Sequence, residues 1–252
     1  MAADPREAIA GLNWWHVMEV APGVETPGSW DLRPTAELMP WPASLSGARC
    51  LDIGTMDGFW AFELERRGAA EVLAIDTAES DSAQVKWRPG PIPQGPPRGE
   101  TFRVAADLLG SRAEYRDLNV YDLDPSEIGE FDVVVMGFVL QMLRDPLRGL
   151  EAVRTICRGH LILLDTVSRP LSPLPSPLAR LDARRDGREF FVFNPPGMRK
   201  ALELSGFEVE EMTRVFRDTY APPREPVSFA TRVMHKLGVR GSSVAARARR
   251  QF

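Results

Sequence analysis

Four short and almost uninterrupted apolar runs constrain the fold of this chain more than any other feature of its sequence. Apolar runs of this length are typical of strands that are buried on both faces of a sheet. Segments with helical spacing lie between them, at residues 60–67 and 147–156. Strands that alternate with helices predict an α/β fold built on a parallel sheet. The four runs are residues 49–52, 71–76, 131–137 and 160–165.

Composition excludes several classes of protein. The chain has 252 residues, of which 44% are hydrophobic and 26% charged, and its net charge of −4 gives no general argument for nucleic-acid binding. It contains no apolar run of about 18 residues, the length that a transmembrane helix needs. The N-terminus lacks a basic region followed by an apolar one, so we expect no signal peptide and a cytoplasmic location. Cys50 and Cys157 lie in apolar stretches, which predicts neither a disulfide scaffold nor a metal site.

Weaker patterns fill the rest of the chain. Residues 115–120 are a further strand candidate, between the second and third strong runs. The C-terminal third predicts a helix at residues 197–204 and two strands at 207–215 and 227–233. Two proline-rich segments are expected to be loops, at residues 89–97 and 170–177.

The C-terminal end has a composition of its own. Residues 240–252 carry four arginines and no acid. A solvated tail is the first interpretation, and a basic arm that contacts RNA is the alternative. We therefore expect an N-terminal cap segment at residues 1–45, one domain at 46–236 and a basic tail at 237–252.

The most informative motif joins the first two strong runs. The first run ends at Asp52, and a turn that contains Gly54 and Gly58 leads into the next helix. Glycines let a backbone approach a ligand closely, and N–H groups at a helix start favour anionic groups. Asp76 ends the next run, 18 residues beyond Gly58, where an acid can accept both hydroxyls of a ribose. The pattern predicts a pocket for a cofactor that contains adenosine.

The first acid of the motif discriminates between cofactors. A dinucleotide-binding turn begins with glycine, so that a pyrophosphate can lie over it. Asp52 at this position would repel a pyrophosphate, whereas it can bind the ammonium of an amino-acid group directly or through water. The residues therefore favour S-adenosylmethionine over NAD.

Asp52 to Trp60 and the residues around Arg66 resemble class I S-adenosylmethionine-dependent methyltransferases. Trp14-Trp15-His16 and Leu143 to Pro146 resemble, within that class, the branch that contains the bacterial tRNA wobble-uridine carboxymethyltransferase. The resemblance covers roughly residues 12–215. It implies a Rossmann-like seven-stranded sheet in the order 3-2-1-4-5-7-6, with the last strand antiparallel.

The resemblance also implies roles for individual residues. The turn after Asp52 would hold the amino-acid part of S-adenosyl-L-methionine, and Asp76 would bind its ribose. Asn119 and Val120, after the third strand, would hold the adenine ring. Gly137, at the end of the fourth strand, would lie beside the methionine part. Gln141 stands where the branch often has a tyrosine that helps to hold the carboxylate of a carboxylated cofactor, which favours the unmodified cofactor. The implied cofactor contacts are Asp52, Gly54, Thr55, Met56, Gly58, Phe59, Asp76, Thr77, Asn119, Val120 and Gly137.

The acceptor side is less specified by sequence. His16 is a candidate base in a segment rich in tryptophan, and its alternative is a partly buried histidine bonded to backbone. Asp165 ends the fifth strand and is a candidate base or orienting group, and its alternative is a cap for the following turn. Trp15, Trp30 and Gln141 are the candidate substrate contacts.

Three functions remain open from sequence. The leading hypothesis is a methyltransferase that acts on a small molecule, because the cofactor motif comes without a separate RNA-binding domain. The second is tRNA modification, which salt-sensitive tRNA binding would favour. The third is a non-catalytic cofactor-binding protein. The sequence names neither the acceptor nor the oligomeric state.

Overall fold

The computed structural model describes residues 4–77, 99–181, 189–218 and 242–251. Helices and strands alternate along most of this chain. The helices are α1 (Pro5–Ile9), α2 (Arg33–Ala36), α3 (Phe59–Arg66), α4 (Glu100–Leu109), α5 (Pro125–Ile128), α6 (Pro146–Ile156) and α7 (Pro195–Leu204). The strands are β1 (Glu19–Ala21), β2 (Val24–Glu25), β3 (Arg49–Ile53), β4 (Glu71–Asp76), β5 (Glu114–Asp117), β6 (Phe131–Gly137), β7 (Cys157–Thr166), β8 (Ala179–Leu181), β9 (Phe191–Phe193), β10 (Phe207–Met212), β11 (Phe216–Arg217) and β12 (Ser242–Arg250).

One large sheet organises the fold. Its strands follow the order β10-β12-β7-β6-β3-β4-β5, and the short β11 also pairs with β12. β3, β4, β5, β6 and β7 pair in parallel, whereas β12 is antiparallel to both of its long neighbours. This is the α/β arrangement expected from the sequence, with the implied strand order and the implied antiparallel strand. The chain reverses its strand order between β3 and β6, and ligands of such sheets bind at the carboxyl edge beside this point.

Local sequence signals explain the helix starts nearest to that edge. Asp145 caps α6 by accepting a hydrogen bond from the N–H of Arg148 at 3.1 Å, and Pro146 occupies the first turn. Asn194 caps α7 in the same way, through the N–H of Gly197 at 2.8 Å. In both places the cap directly precedes a proline, which fixes where the helix begins.

Two apolar clusters cover the two faces of the sheet. Leu51, Val134 and Leu150 belong to the cluster on the side of α6 and α7. Val135, Leu64 and Trp14 belong to the cluster on the side of α3 and α4. The second cluster contains residues from both sides of position 45, so the N-terminal segment is part of the packed core as well as a cover.

The weaker strand predictions are corrected in their bounds. The strand expected at 115–120 ends at Asp117, and a 3₁₀ helix follows at Val120–Asp122. The strand expected at 207–215 ends at Met212. The strand expected at 227–233 and the loop at 89–97 lie outside the described residues. The loop expected at 170–177 contains neither helix nor strand.

The prediction of a solvated C-terminal tail is wrong. Residues of β12 pair with both β7 and β10, and the side chains of Val244, Ala246 and Ala248 are fully buried. Arg247 lies against the acids of β10 and forms ion pairs with Glu210 and Glu211. In β12, small residues alternate with arginines, which is the pattern of a strand with one charged face. Counting the arginines without their spacing does not reveal this pattern.

Two sequence-based exclusions can be compared with the described structure. Among the described helices, none has the length and apolar character needed to cross a bilayer. In the same part of the chain, the acidic, histidine and cysteine side chains form no group of three that could hold a metal ion.

Candidate functional site

The turn between β3 and α3 forms the centre of the candidate site. The N–H groups of Gly54 and Thr55 both donate to the carbonyl of Ile75, at 2.8 and 3.0 Å, which ties the turn to β4. The side chain of Thr55 is buried beneath the turn. The start of α3 consequently opens at the carboxyl edge of the sheet, where its N–H groups favour a carboxylate.

The two glycines of the turn are required by backbone and packing. Gly54 and Gly58 have φ angles of +76° and +96°, which residues with a side chain rarely adopt. A Cβ on Gly54 would lie 2.4 Å from Cγ2 of Val139, and one on Gly58 would lie 2.5 Å from the ring of Phe62. The free sides of these glycines face neighbouring side chains, so packing requires glycine here in addition to the predicted close approach of a ligand.

Asp52 is a buried carboxyl group beside the turn. Oδ2 accepts a hydrogen bond from the N–H of Ala61 at 3.1 Å, while Oδ1 has no hydrogen-bond partner within the described chain. Burial raises the pKa of Asp52 to about 7, and Asp76 adds to the rise. The Ala61 N–H opposes it, as does the nearby Thr55 hydroxyl, although the latter lies outside hydrogen-bond geometry. An ammonium group next to Oδ1 would satisfy the acceptor and stabilise the charge. Asp52 therefore fits the amino-acid part of S-adenosylmethionine.

Asp76 closes β4 directly across the turn. Its two carboxylate oxygens accept hydrogen bonds from the N–H groups of Met56, at 2.9 Å, and Thr77, at 2.7 Å. Met56 has a φ of 50°, a left-handed conformation that a non-glycine residue adopts only when its surroundings impose it. Asp76 is therefore held at the carboxyl edge of the sheet by the turn itself, and its ribose role stays a prediction.

The two residues with an expected adenine contact differ in their surroundings. Asn119 begins the 3₁₀ helix after β5, and its side-chain oxygen accepts a hydrogen bond from the N–H of Tyr121 at 3.1 Å. The side chain of Val120 is buried in the apolar cluster beneath α6. A contact of Val120 with an adenine ring would consequently have to come from its backbone.

The end of β6 forms the other wall of the site. A Cβ on Gly137 would lie 2.6 Å from Nε1 of Trp60, so only glycine allows this indole to pack on the strand. The ring of Phe59 contacts Trp60 edge to face, with centroids 4.9 Å apart. Phe138 follows with a φ of 59°, a second left-handed non-glycine residue at the same edge. Such outliers concentrate where surrounding structure fixes a functional backbone.

Asp57 fastens the N-terminal segment to the turn, and sequence reasoning missed it. Its Oδ2 accepts hydrogen bonds from the N–H groups of Trp15, at 2.6 Å, and His16, at 2.8 Å. Its Oδ1 accepts a bond from the hydroxyl of Thr101 on α4, at 2.7 Å. One buried carboxylate thus connects three segments. The sequence signal that could have found it is the position of this acid between the two glycines of the turn.

His16 lies at the edge, beside the start of α3. Its Nδ1 is 3.6 Å from Oδ2 of Asp57 and makes no hydrogen bond in the described structure. Its ring centroid is 5.9 Å from that of Phe59. Burial lowers the pKa of His16, and the charge of Asp57 opposes this effect. A neutral imidazole at this edge has the protonation state of a base at neutral pH.

The tryptophans of the segment divide between core and edge. Trp14 is buried and its indole donates to the carbonyl of Ile9 at 3.0 Å. Trp30 contacts Phe138, with ring centroids 5.7 Å apart, and forms a backbone bridge with His16. Trp15 is exposed. The segment therefore places His16 beside Phe59 at the start of α3 and Trp30 beside Phe138 after β6.

Asp165 and Gln141 lie together further along the edge. Asp165 Oδ2 accepts a hydrogen bond from the N–H of Gln141 at 3.1 Å, and Oδ1 accepts one from the N–H of Thr166 at 2.7 Å. Burial raises the pKa of Asp165 to about 7, with a contribution from Asp218, and the backbone bonds oppose the rise. Both carboxylate oxygens of Asp165 therefore accept backbone N–H groups, one from the 3₁₀ helix Leu140–Met142 and one from the last residue of β7.

Comparison with known proteins agrees with this geometry. A family model described as a methyltransferase domain matches residues 32–212. The curated ubiquinone biosynthesis O-methyltransferase of Acinetobacter baylyi is 28% identical over 127 residues, which cover 50% of this chain and 46% of that protein. The chain thus spans about half the length of the curated relatives that it matches.

Solved structures with the same fold contain the product form of the cofactor. The N-terminal domain of EvdMO1, with S-adenosylhomocysteine bound, has a TM-score of 0.57 at 16% identity and covers 98% of this chain and 95% of that one. The Burkholderia thailandensis 1,6-didemethyltoxoflavin-N1-methyltransferase, with 1,6-didemethyltoxoflavin and S-adenosylhomocysteine bound, has a TM-score of 0.55 at 18% identity, with coverages of 88% and 78%. At these identities the likeness establishes the fold.

Proposed function

Since this chain belongs to the methyltransferase domain family, we propose that it transfers a methyl group from S-adenosyl-L-methionine to a small-molecule acceptor. The observation that carries the proposal is the pair of acids beside the turn that joins β3 to α3. Asp52 has a buried carboxyl oxygen without a partner in the described chain, and the carboxylate of Asp76 is held by backbone N–H groups. Those two groups match the ammonium and the ribose of the cofactor.

The residues of the site would act mainly by binding and orientation. S-adenosylmethionine, when bound, supplies a methyl group that is already activated by its sulfonium. The protein then has to hold the acceptor about 3 Å from that methyl group and exclude water. Trp30 and Phe138 pack together over this edge and contribute apolar surface for that purpose. Trp15 and Gln141 remain further candidates for acceptor contact.

His16 is the proposed proton acceptor for a hydroxyl or amide acceptor. Burial keeps its imidazole neutral, and Asp57 lies on the Nδ1 side, so Nε2 is the basic atom of the ring. General base assistance contributes about 10²–10⁴ in rate when the acceptor must lose a proton. Asp165, whose carboxylate oxygens accept backbone hydrogen bonds, is proposed as an orienting group.

A small acceptor is favoured over tRNA by the environment of the C-terminal arginines. Arg247 pairs with Glu210 and Glu211, and Arg250 pairs with Glu130. Side chains that are neutralised in this way offer little charge for phosphate contacts. The curated relatives are also named as small-molecule O-methyltransferases of ubiquinone biosynthesis.

The cofactor part of the proposal can be tested by calorimetry with S-adenosylhomocysteine. Asp76→Asn should weaken binding about 10- to 150-fold, because one charge-assisted acceptor of the ribose hydroxyls is lost. Asp107→Asn, an exposed acid on α4, is the matched control and should bind like the parent. Equal affinities of the Asp76 variant and the parent would contradict the assignment.

The acceptor part needs a measurement of transfer. Protein and S-adenosylmethionine with a labelled methyl group are incubated with a metabolite extract, in parallel with purified tRNA. Label in low-mass products supports the small-molecule proposal, and label retained only on tRNA contradicts it. His16→Gln should lower turnover of the labelled acceptor more than it lowers cofactor affinity.

A further inference from the structure

A group of buried polar side chains lies beyond the cofactor turn, and the proposed transfer gives only two of them, Gln141 and Asp165, a general role in acceptor contact and orientation. Gln141 follows β6, Asp165 lies near the end of β7, and Asp218 lies beside the start of β12. We call these three residues the polar cluster. Their side chains are all buried, and the exposed fractions of Gln141 and Asp218 are 7% and 2%.

Contacts between neighbouring elements hold the cluster together. The N–H of Gln141 donates to Asp165 at 3.1 Å. The hydroxyl of Ser243 donates to Oδ1 of Asp218, and Ser243 is paired in register with Thr166, the residue after Asp165. The charge of Asp218 also acts on Asp165. The three residues therefore share one region of the sheet edge.

Two acceptor atoms of the polar cluster lack a donor. Oε1 of Gln141 and Oδ2 of Asp218 are buried and accept no hydrogen bond from any part of the chain that the structure describes. Buried acceptors are normally paired, because leaving one without a donor costs stability. An arrangement of this kind is expected where a ligand supplies the missing donors.

The two acids of the polar cluster carry like charges. Burial raises the pKa of Asp165 and of Asp218, and among the described residues the groups that oppose these rises are hydrogen-bond donors. A carboxylate or phosphate placed here would meet two carboxyl groups in a poorly solvated region. A neutral or cationic group placed here would not be repelled by these carboxyl groups.

The cluster is also adjacent to the cofactor turn. Val139, two residues before Gln141, contacts the free side of Gly54. Phe138 contacts Trp30 of the N-terminal segment. The polar cluster consequently begins where the cofactor turn ends, on the side of the sheet edge that the cofactor motif does not use.

We propose that the polar cluster binds the acceptor, and that the acceptor presents O–H or N–H donors, and no anionic group, to Gln141 and Asp218. This inference rests on the proposed methyl transfer and specifies its substrate class. A molecule with neighbouring hydroxyl or amino groups would carry a donor for each unpartnered oxygen. One such group would be methylated and the other would orient it.

The test uses six-membered-ring probes with two adjacent substituents, chosen to differ in hydrogen-bond donors and in charge. The full chain is saturated with S-adenosylhomocysteine, and binding of five compounds is followed by ligand-observed NMR. Catechol, 1,2-diaminobenzene and cis-1,2-cyclohexanediol carry donors, 1,2-dimethoxybenzene carries none, and phthalate is anionic. We expect binding by donor-bearing probes and none by the last two. Equal binding of all five, or no binding of any donor-bearing probe at millimolar concentration, would overturn the proposal.

Two variants connect the binding to the cluster. Asp218→Asn keeps the oxygen that accepts from Ser243 and replaces Oδ2 by an amide N–H, and Gln141→Met removes the polar group at similar volume. Each should weaken donor-bearing probes about tenfold, while the affinity for S-adenosylhomocysteine stays the same. Asp107→Asn is the control. Unchanged probe affinity in both variants means that the cluster holds only solvent, and overturns the inference.

The outcomes separate this inference from the proposal beneath it. Failure of the parent protein to bind S-adenosylhomocysteine would contradict the proposed function. Normal binding of S-adenosylhomocysteine without discrimination between the probes would contradict only the assignment of the polar cluster. If Asp218→Asn does not fold, Gln141→Met decides the result, because Oε1 of Gln141 accepts no hydrogen bond within the described residues and the backbone N–H that donates to Asp165 is kept.

Discussion

Protonation of Asp52 controls how the cofactor turn meets a cationic group. Its pKa in the folded protein is raised from 3.8 to about 7, chiefly by burial. Between about pH 4 and 7, Asp52 is therefore protonated in the folded protein and ionised in the unfolded chain. This difference lowers the free energy of unfolding as the pH rises through that range. An ammonium beside Oδ1 would lower the pKa again.

Binding of S-adenosylhomocysteine should therefore release a proton from Asp52 and strengthen as the pH rises through 6 to 7. Calorimetry in two buffers with different ionisation enthalpies measures the number of protons released. Asp52→Asn should abolish the release and weaken binding, with a fold that is retained because the buried charge is removed. A pH-independent affinity in the parent would refute the contact between Asp52 and the ammonium.

His16 and Asp57 make a second prediction at the level of single residues. With Asp57 on its Nδ1 side, the neutral ring of His16 should carry its proton on Nδ1 at pH 7. Asp57→Asn should lower the pKa of His16 further, because the charge that raises it is gone, and should shift the proton towards Nε2.

Nitrogen-15 NMR of the imidazole rings measures both effects. The chain has three histidines, and His160, which lies 3.3 Å from Glu210 and far from the turn, serves as the internal control. A proton on Nε2 of His16 in the parent protein would contradict the proposed base.

Among the elements, β12 is the strand that holds β10 to the rest of the large sheet. It separates β7 from β10, and most of its side chains are buried. Removing residues 242–252 should abolish cooperative unfolding, because two strands would lose their partner and expose unpaired edges. Arg249→Ala, an exposed residue of the same strand, should change the free energy of unfolding by less than about 0.5 kcal/mol. Urea denaturation followed by circular dichroism compares them, and an unchanged midpoint after truncation would contradict the role of β12.

At the scale of the whole molecule, the N-terminal segment completes the core and covers the site edge at once. Trp14 and Trp15 provide a matched pair, since they are neighbours of one residue type with exposed fractions of 5% and 36%. Trp14→Ala should lower the free energy of unfolding by about 3–5 kcal/mol, the usual cost of emptying a buried aromatic site. Trp15→Ala should cost less than about 1 kcal/mol. Thermal and urea unfolding measure both, and similar losses for the pair would contradict the division between core and edge.

The sequence by itself determined the local features of this protein. The four apolar runs became central strands because their side chains are buried on both faces, and that requirement is visible in the residues themselves. The cofactor turn was equally readable, since Asp52, Gly54 and Asp76 owe their places to the ends of two adjacent strands. The strand order and the antiparallel direction of the last strand followed from the resemblance, whereas the position of that strand at Ser242–Arg250 did not, because the sequence predicted a tail there.

Tertiary structure alone decided which distant residues meet. Asp57 gains its role by accepting N–H groups from residues more than 40 positions away, and no spacing rule encodes that contact. The arginines of β12 look like a solvated tail until the acids of β10 lie opposite them. The polar cluster joins Gln141, Asp165 and Asp218 from three elements. The contacts of β12 and of the polar cluster depend on strand pairing across the sheet, and those of Asp57 on the packing of the N-terminal segment, so each links parts of the chain whose local sequences carry no signal of one another.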